Sequence, residues 1–385
     1  MDATQSNLAV QEFVELVTTP SVSGNERQIA DLLLRKLREL DCLDIHEDEA
    51  GIALGGNTGN IYGVLPGELP GAILFCAHMD RGEILSAREI RPEIREGRIY
   101  SDGTTLLAAD DVAGIVAILG GLRRLKRSGK PHCSVEVLFT VCEEDCAQGS
   151  LHAEYNRLNA KIGYAMDSNG NIGRIVNRMP SGAKLSVEIF GRGAHYGSAP
   201  ENGVDAAQIA ARILTNIRQG RIDQETVANF PVLHAGGNAT YGICEYAVIK
   251  GQAQSHNHDK LLDYIRYFEA FCRQEKANTG VSVKSDSQIL YRGCGIDVDS
   301  PCIRLATRAL ASLGVQVHAD TGNACLDSHN FNAHGIQSVG LAMGYRLNHS
   351  THEYQDIGQM LKNSELVERI VLEFSQAPEA YEVID

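Results

Sequence analysis

The sequence predicts an α/β layered protein, a mixed and mostly parallel sheet between helices, interrupted by an inserted α+β sandwich. Three observations predict it. Short β-branched and apolar runs alternate with helical patterns over about the first 180 residues, the order that builds parallel sheets. The order then becomes β-α-β-β-α-β, which suits a small sandwich of one sheet and two helices. From about residue 293 the layered style resumes. The simplest division is one domain over 1–180 and 293–385, with a second over 181–292.

The elements follow in order. Residues 7–19 and 24–40 have the apolar spacing of two amphipathic helices, with Ser23 a plausible N-cap for the second. Strand-like runs lie near 60–65 and 72–77. Residues 111–126 (DVAGIVAILGGLRRLK) predict a mostly buried helix whose basic last turn suits the helix dipole. CSVEVLFTV at 133–141 and the run at 161–166 are strands. In the insert, strands are expected at 183–191, 231–235, 244–252 and 280–290, with helices at 203–219 and 257–275. A helix at 301–313, apolar GIQSVGLAM at 335–343 and a helix near 361–376 complete the chain.

Composition narrows the partners. The chain has 385 residues, 43% apolar and 22% charged, enough aliphatic surface for a large core. A net charge of −14 disfavours nucleic acid and anionic membrane, which need basic patches. The N-terminal stretch lacks a basic n-region, so no signal peptide is expected. No segment has the roughly 20 unbroken apolar residues of a membrane span. Ten cysteines are scattered without a CxxC pair, which predicts reduced, mostly buried thiols and a cytoplasmic setting.

Acids and imidazoles recur at the ends of the apolar runs. His78 and Asp80 close AILFCAHMD, Asp110 stands in AADDVAG, and Glu143 and Glu144 follow FTVC. Asp167 follows IGYAM, and His349 follows GLAMGYRLN. A buried strand that ends in an unpartnered acid is costly. Five such ends point to one shared partner, a pair of divalent metal ions. Alternate residues of a strand face one side, so Asp80 can hold His78 as an outer carboxylate. Asp110 alone would read as a helix N-cap, but a carboxylate there can also bridge two cations about 3.5–4 Å apart, with Asp111 its rival. Adjacent Glu143 and Glu144 point in different directions, so one can ligate while the other serves as general base. His349 and His352 are rivals for the last ligand position.

With SDGTTLLAADDVAG at 101–114, HMD at 78–80, the Glu pair and NHSTHE at 348–353, nearly the whole chain resembles the co-catalytic zinc metallopeptidases. That family includes peptidase T, the glutamate carboxypeptidases and acetylornithine deacetylase, and the match is strongest to the peptidase T-like branch. The resemblance implies a zinc-peptidase catalytic domain with an inserted lid through which many relatives dimerise. It implies two zinc ions, with cobalt or manganese as alternatives, bridged by Asp110. His78 and Asp167 would complete one site, Glu144 and His349 the other. His349 is preferred because the family's ligand stands four residues before a Glu. Asp80 would orient His78, and Glu143 would be the general base. His195, in GRGAHYGSAP, matches a substrate- or oxyanion-binding histidine, and Asn238, in GGNAT, a polar lid residue.

The implied function is hydrolysis of short peptides by a tripeptidase-like aminopeptidase. The alternatives are an amidohydrolase acting on dipeptides or N-acyl amino acids, and a non-catalytic metal-binding relative. The chain departs from the family in places. Val112 stands where many relatives carry Lys, and Ala109 replaces a common Gly. Gln254 occupies the place of an Arg that holds a substrate carboxylate. Asp327, in GNACLDSH, matches a family segment only loosely. These changes spare the proposed ligands and bear on the substrate.

Overall fold

Parallel strands Leu69–His78, Cys133–Thr140, Ile162–Ser168 and Gln337–Ala342 form the centre of a nine-stranded sheet in a computed structural model. The structure describes residues 3–82, 89–238 and 240–383. Ile61–Leu65 and then Leu43–Glu47 extend the sheet antiparallel on one side. On the other side Arg174–Met179 runs antiparallel to Gln337–Ala342, and His318–Thr321 pairs parallel with it. The central strands are apolar on both faces because helices cover both. Phe75 and Tyr164 stack with ring centres 5.7 Å apart, and both are fully buried.

One covering helix, Ala109–Ser128, packs against Ile357–Gln376. Two glycines permit the close approach. A Cβ at Gly120 would lie 2.3 Å from Ser364 Oγ, and one at Gly121 2.3 Å from Val367 Cγ1. At the start of this helix Asp110 and Asp111 have non-helical dihedrals, and the peptide between them is cis. The carboxyl ends of the central strands and this irregular helix start therefore meet at one edge of the sheet, where sites gather in open α/β sheets.

Contacts divide the chain into two units, Met1–Arg178 with Gly295–Asp385, and Met179–Cys294. The second unit has its own core of Leu185, Val187, Ile249, Phe230 and Phe268 among others. Its antiparallel sheet runs Gly220–Arg221, Thr226–Ala235, Tyr246–Ser255, Ser181–Phe190, Ser282–Tyr291. Helices Ala206–Asn216 and His258–Thr279 complete it, capped by the side chains of Asp205 and Asn257.

One expectation fails locally. Ser23 is not a helix cap, because the helix begins at Arg27 and its flanking residue is Glu26. Ser23 instead donates to Asp80 Oδ2 at 2.7 Å. A buried carboxylate has the greater need of a donor, while a helix end near the surface can be served by water. A small sheet of Glu93–Arg95, Arg98–Tyr100, Tyr354–Asp356 and Tyr345–Arg346 was not expected. Strands of two or three residues carry no readable period.

Candidate metal centre

His78 is the last residue of its strand and is almost fully buried. Its Nδ1 faces the backbone oxygen of Asp80 at 2.9 Å and the Asp80 carboxylate at 3.4 Å. The shorter contact fixes that nitrogen as the N–H, which leaves Nε2 free to ligate. Nε2 lies 3.3 Å from Asp110 Oδ1 and 3.8 Å from Asp167 Oδ1. On the other side of Asp110, its Oδ2 lies 3.4 Å from His349 Nε2, while His349 Nδ1 lies 3.6 Å from Glu144 Oε2. Two groups result, His78–Asp110–Asp167 and Asp110–Glu144–His349, each with ligand atoms within 4.8 Å of one another.

Both rivals fall elsewhere. Asp111 accepts from Gly114 N–H at 3.1 Å and from His78 N–H at 3.3 Å, a backbone role within the turn. His352 is exposed and belongs to neither group among the described residues.

The charges are unbalanced in the way a cation site requires. Burial pushes the Asp167 carboxyl well above its ordinary value, and Asp110 and Asp111 add to the rise. Burial and Asp110 together raise Glu144 to about 7. Burial would raise Asp110 too, but hydrogen bonds from His349 and His78 hold it well below the usual range. His349, paired first with Asp110, rises to about 9. Burial opposes charge on His78, yet Asp167, Asp110 and Asp80 raise it well above its ordinary value. Protons thus collect where carboxylates crowd, and divalent cations fit the same donor set of carboxylate oxygens and imidazole nitrogens.

Glu143 belongs to neither group. It is 7% exposed, and its Oε1 has no hydrogen-bond partner among the described residues. Burial, then Asp327, Glu144 and Asp80, push its carboxyl well above the ordinary value against the pull of His78. The Asp80 carboxylate does more than the expected work on His78. It accepts from the backbone N–H of Glu143 at 2.9 Å and of Glu144 at 3.2 Å, so it also aims the acid pair.

Other contributors, apart from the loosely matched Asp327, were not read from the sequence. Glu353 accepts from the N–H groups of Leu107, Ala108 and Asp110 at 2.8, 3.0 and 3.1 Å, and so holds the irregular turn that presents Asp110. Tyr345 and Asn348 donate to Asp110. Asp327 accepts from Thr140 Oγ1 at 2.7 Å and from the Cys76 thiol at 3.2 Å, beneath the strand ends. Proximity to His349 in GYRLNHS was the one available signal for Tyr345 and Asn348; Ser23 had none.

His195, Asn238 and Gln254 lie in the second unit. His195 is exposed, and its Nδ1 accepts from Gly197 and Ser198 N–H, both at 3.2 Å, which leaves Nε2 as an outward donor. Asn238 is exposed, and Gln254 is half-buried on Tyr246–Ser255.

The model of peptidase family M20/M25/M40 matches residues 74–373 of this chain. An uncharacterized Bacillus subtilis protein, YqjE, is 31% identical over 365 residues, covering 94% of this chain and 97% of that one. Aminopeptidase PepT of Bacillus cereus has a solved structure with a TM-score of 0.82 at 33% identity, covering 96% of this chain and 98% of that one. A tripeptidase of Staphylococcus aureus gives 0.85 at 29% identity, with the same coverage.

Proposed function

We propose that this chain, which belongs to peptidase family M20/M25/M40, is an aminopeptidase of short peptides that works with two zinc ions. That it hydrolyses peptide bonds, within a metal-dependent family, follows from the family and its peptidase T-like neighbours. The finer reading rests on one observation: Asp110 is shared by two three-residue groups, and a buried acid with an unpartnered oxygen, Glu143, sits beside them. The tripeptide class is supported by the likeness to the PepT aminopeptidase and the tripeptidase.

His78, Asp110 and Asp167 would hold one ion, and Asp110, Glu144 and His349 the other. Bound there, the ions would supply Lewis acidity, lowering the pKa of water and polarising an amide carbonyl. Glu143 takes the proton of the attacking water on its free Oε1 and returns it to the leaving amine. Asp80 keeps Glu143 aimed through its backbone amide and keeps His78 in one tautomer. His195 offers an outward Nε2–H for the developing oxyanion; its part in the reaction, like that of Asn238 in holding substrate, is carried by the resemblance.

Elemental analysis of the purified chain, together with turnover of a panel of tripeptides, dipeptides and N-acyl amino acids, tests this. Two zinc ions per chain and preferred cleavage of tripeptides at the N-terminal bond are expected. Preference for dipeptides or N-acyl amino acids would transfer the assignment to the amidohydrolase alternative. A chain without metal or turnover would sink the enzyme reading. We also read residues 181–292 as a lid that pairs two chains; a one-chain mass by light scattering at micromolar concentration would refute this.

A further inference from the structure

We propose that Tyr345 and Asn348 are positioning residues, each presenting a neutral donor to one oxygen of Asp110, so that one loop sets the affinity of the two metal positions separately. The inference rests on the reading of both groups as metal sites.

The Tyr345 hydroxyl lies 3.1 Å from Asp110 Oδ1 and 3.0 Å from Asp167 Oδ1, both members of the His78 group. It has one proton, so it donates to one oxygen at a time while remaining in reach of both. Tyr345 is 1% exposed, so its hydroxyl is turned inward, away from bulk solvent. Asn348 Nδ2 lies 2.6 Å from Asp110 Oδ2, the oxygen that faces His349 in the other group. The amide is oriented from behind, because Asn169 Nδ2 donates to Asn348 Oδ1 at 3.3 Å. A carboxylate oxygen has lone pairs enough for a cation and a donor together. Both donors are neutral, so neither repels a cation as Lys or Arg would.

The loop is shaped for this. Leu347 and His349, on either side of Asn348, have φ of 56° and 58°. Left-handed backbone is unfavourable for side chains with a Cβ, and such strain persists where neighbours over-determine it. Tyr345 is anchored meanwhile by its pairing with Gln355. Outer partners of metal ligands typically carry 10–100-fold in metal affinity, about what is expected of each donor here.

Zinc affinity of the metal-free chain, measured by competition with a chromophoric chelator, tests the division. With His349→Ala, which leaves the His78 group alone, Tyr345→Phe is expected to weaken zinc binding about 10–100-fold. Asn348→Leu is expected to change it by less than about threefold. With His78→Ala the two effects exchange. Should Asn348→Leu lose its cooperative melt, Asn348→Ala replaces it. Equal weakening in both backgrounds would make the loop a general support and overturn the proposal, as would parent-like affinity throughout. If the unsubstituted chain binds no zinc, the metal reading falls and this one with it, a result visible before any donor is changed.

Discussion

Glu143→Gln is expected to lower peptide turnover about 10²–10⁴-fold, the usual contribution of a positioned general base. In activation free energy that is about 3–5 kcal/mol. The substitution keeps the size of the side chain and removes its basicity. Geometry should survive, because Asp80 holds residue 143 by its backbone N–H rather than by its side chain. Metal content should be unchanged, since Glu143 belongs to neither ligand group. Stability should not fall. The carboxyl of Glu143 is raised by burial and by Asp327, Glu144 and Asp80. A raised acid contributes stability below its unfolded pKa and loses it as pH rises through the folded value, so at neutral pH a neutral Gln relieves the repulsion. Steady-state kinetics, elemental analysis and thermal melting of the metal-free protein check all three points. Turnover within a few-fold of the parent at normal metal content would remove Glu143 from the mechanism.

The second large effect is expected at Asp110. Asp110→Asn should cost both ions, whereas His78→Ala or His349→Ala should cost mainly one, because among the described residues only Asp110 belongs to both groups. A direct ligand should matter more than an outer partner, so each affinity should fall by more than about 100-fold. Turnover should drop to the limit of detection. The turn itself should persist, since Glu353 grips the backbone of Leu107, Ala108 and residue 110 rather than the Asp110 side chain. Elemental analysis after gel filtration, with circular dichroism as the folding control, reads the result. Loss of one ion only would show that Asp110 does not bridge.

Much of this was legible because the strands announce themselves. CSVEVLFTV and AILFCAH are apolar on both faces, as a covered parallel strand must be, and each leads directly into the residues of the site. Position along such a strand nearly determines position in space, so the sequence alone leads to the expectation that His78, Glu143, Glu144 and Asp167 lie together. Asp110 was harder, since an acid before an apolar helix has an ordinary role as a cap. Asp111 shares its non-helical turn and is told apart by its carboxylate, which accepts from Gly114 and His78 N–H, while Glu353, 243 residues away, holds the backbone of Asp110.

What the sequence determined by itself was the fold class, the family and the set of acids and imidazoles. Those depend on local periodicity and on motifs read within a few dozen residues. What only the tertiary structure decided was the support around them. Ser23 reaches Asp80 across 57 residues, and Tyr345 reaches Asp110 across 235. Single hydroxyls and amides on turns have no period and no spacing to betray them. Their placement follows from the need of each buried carboxylate for a donor, and that need is met by whichever segment the fold brings near.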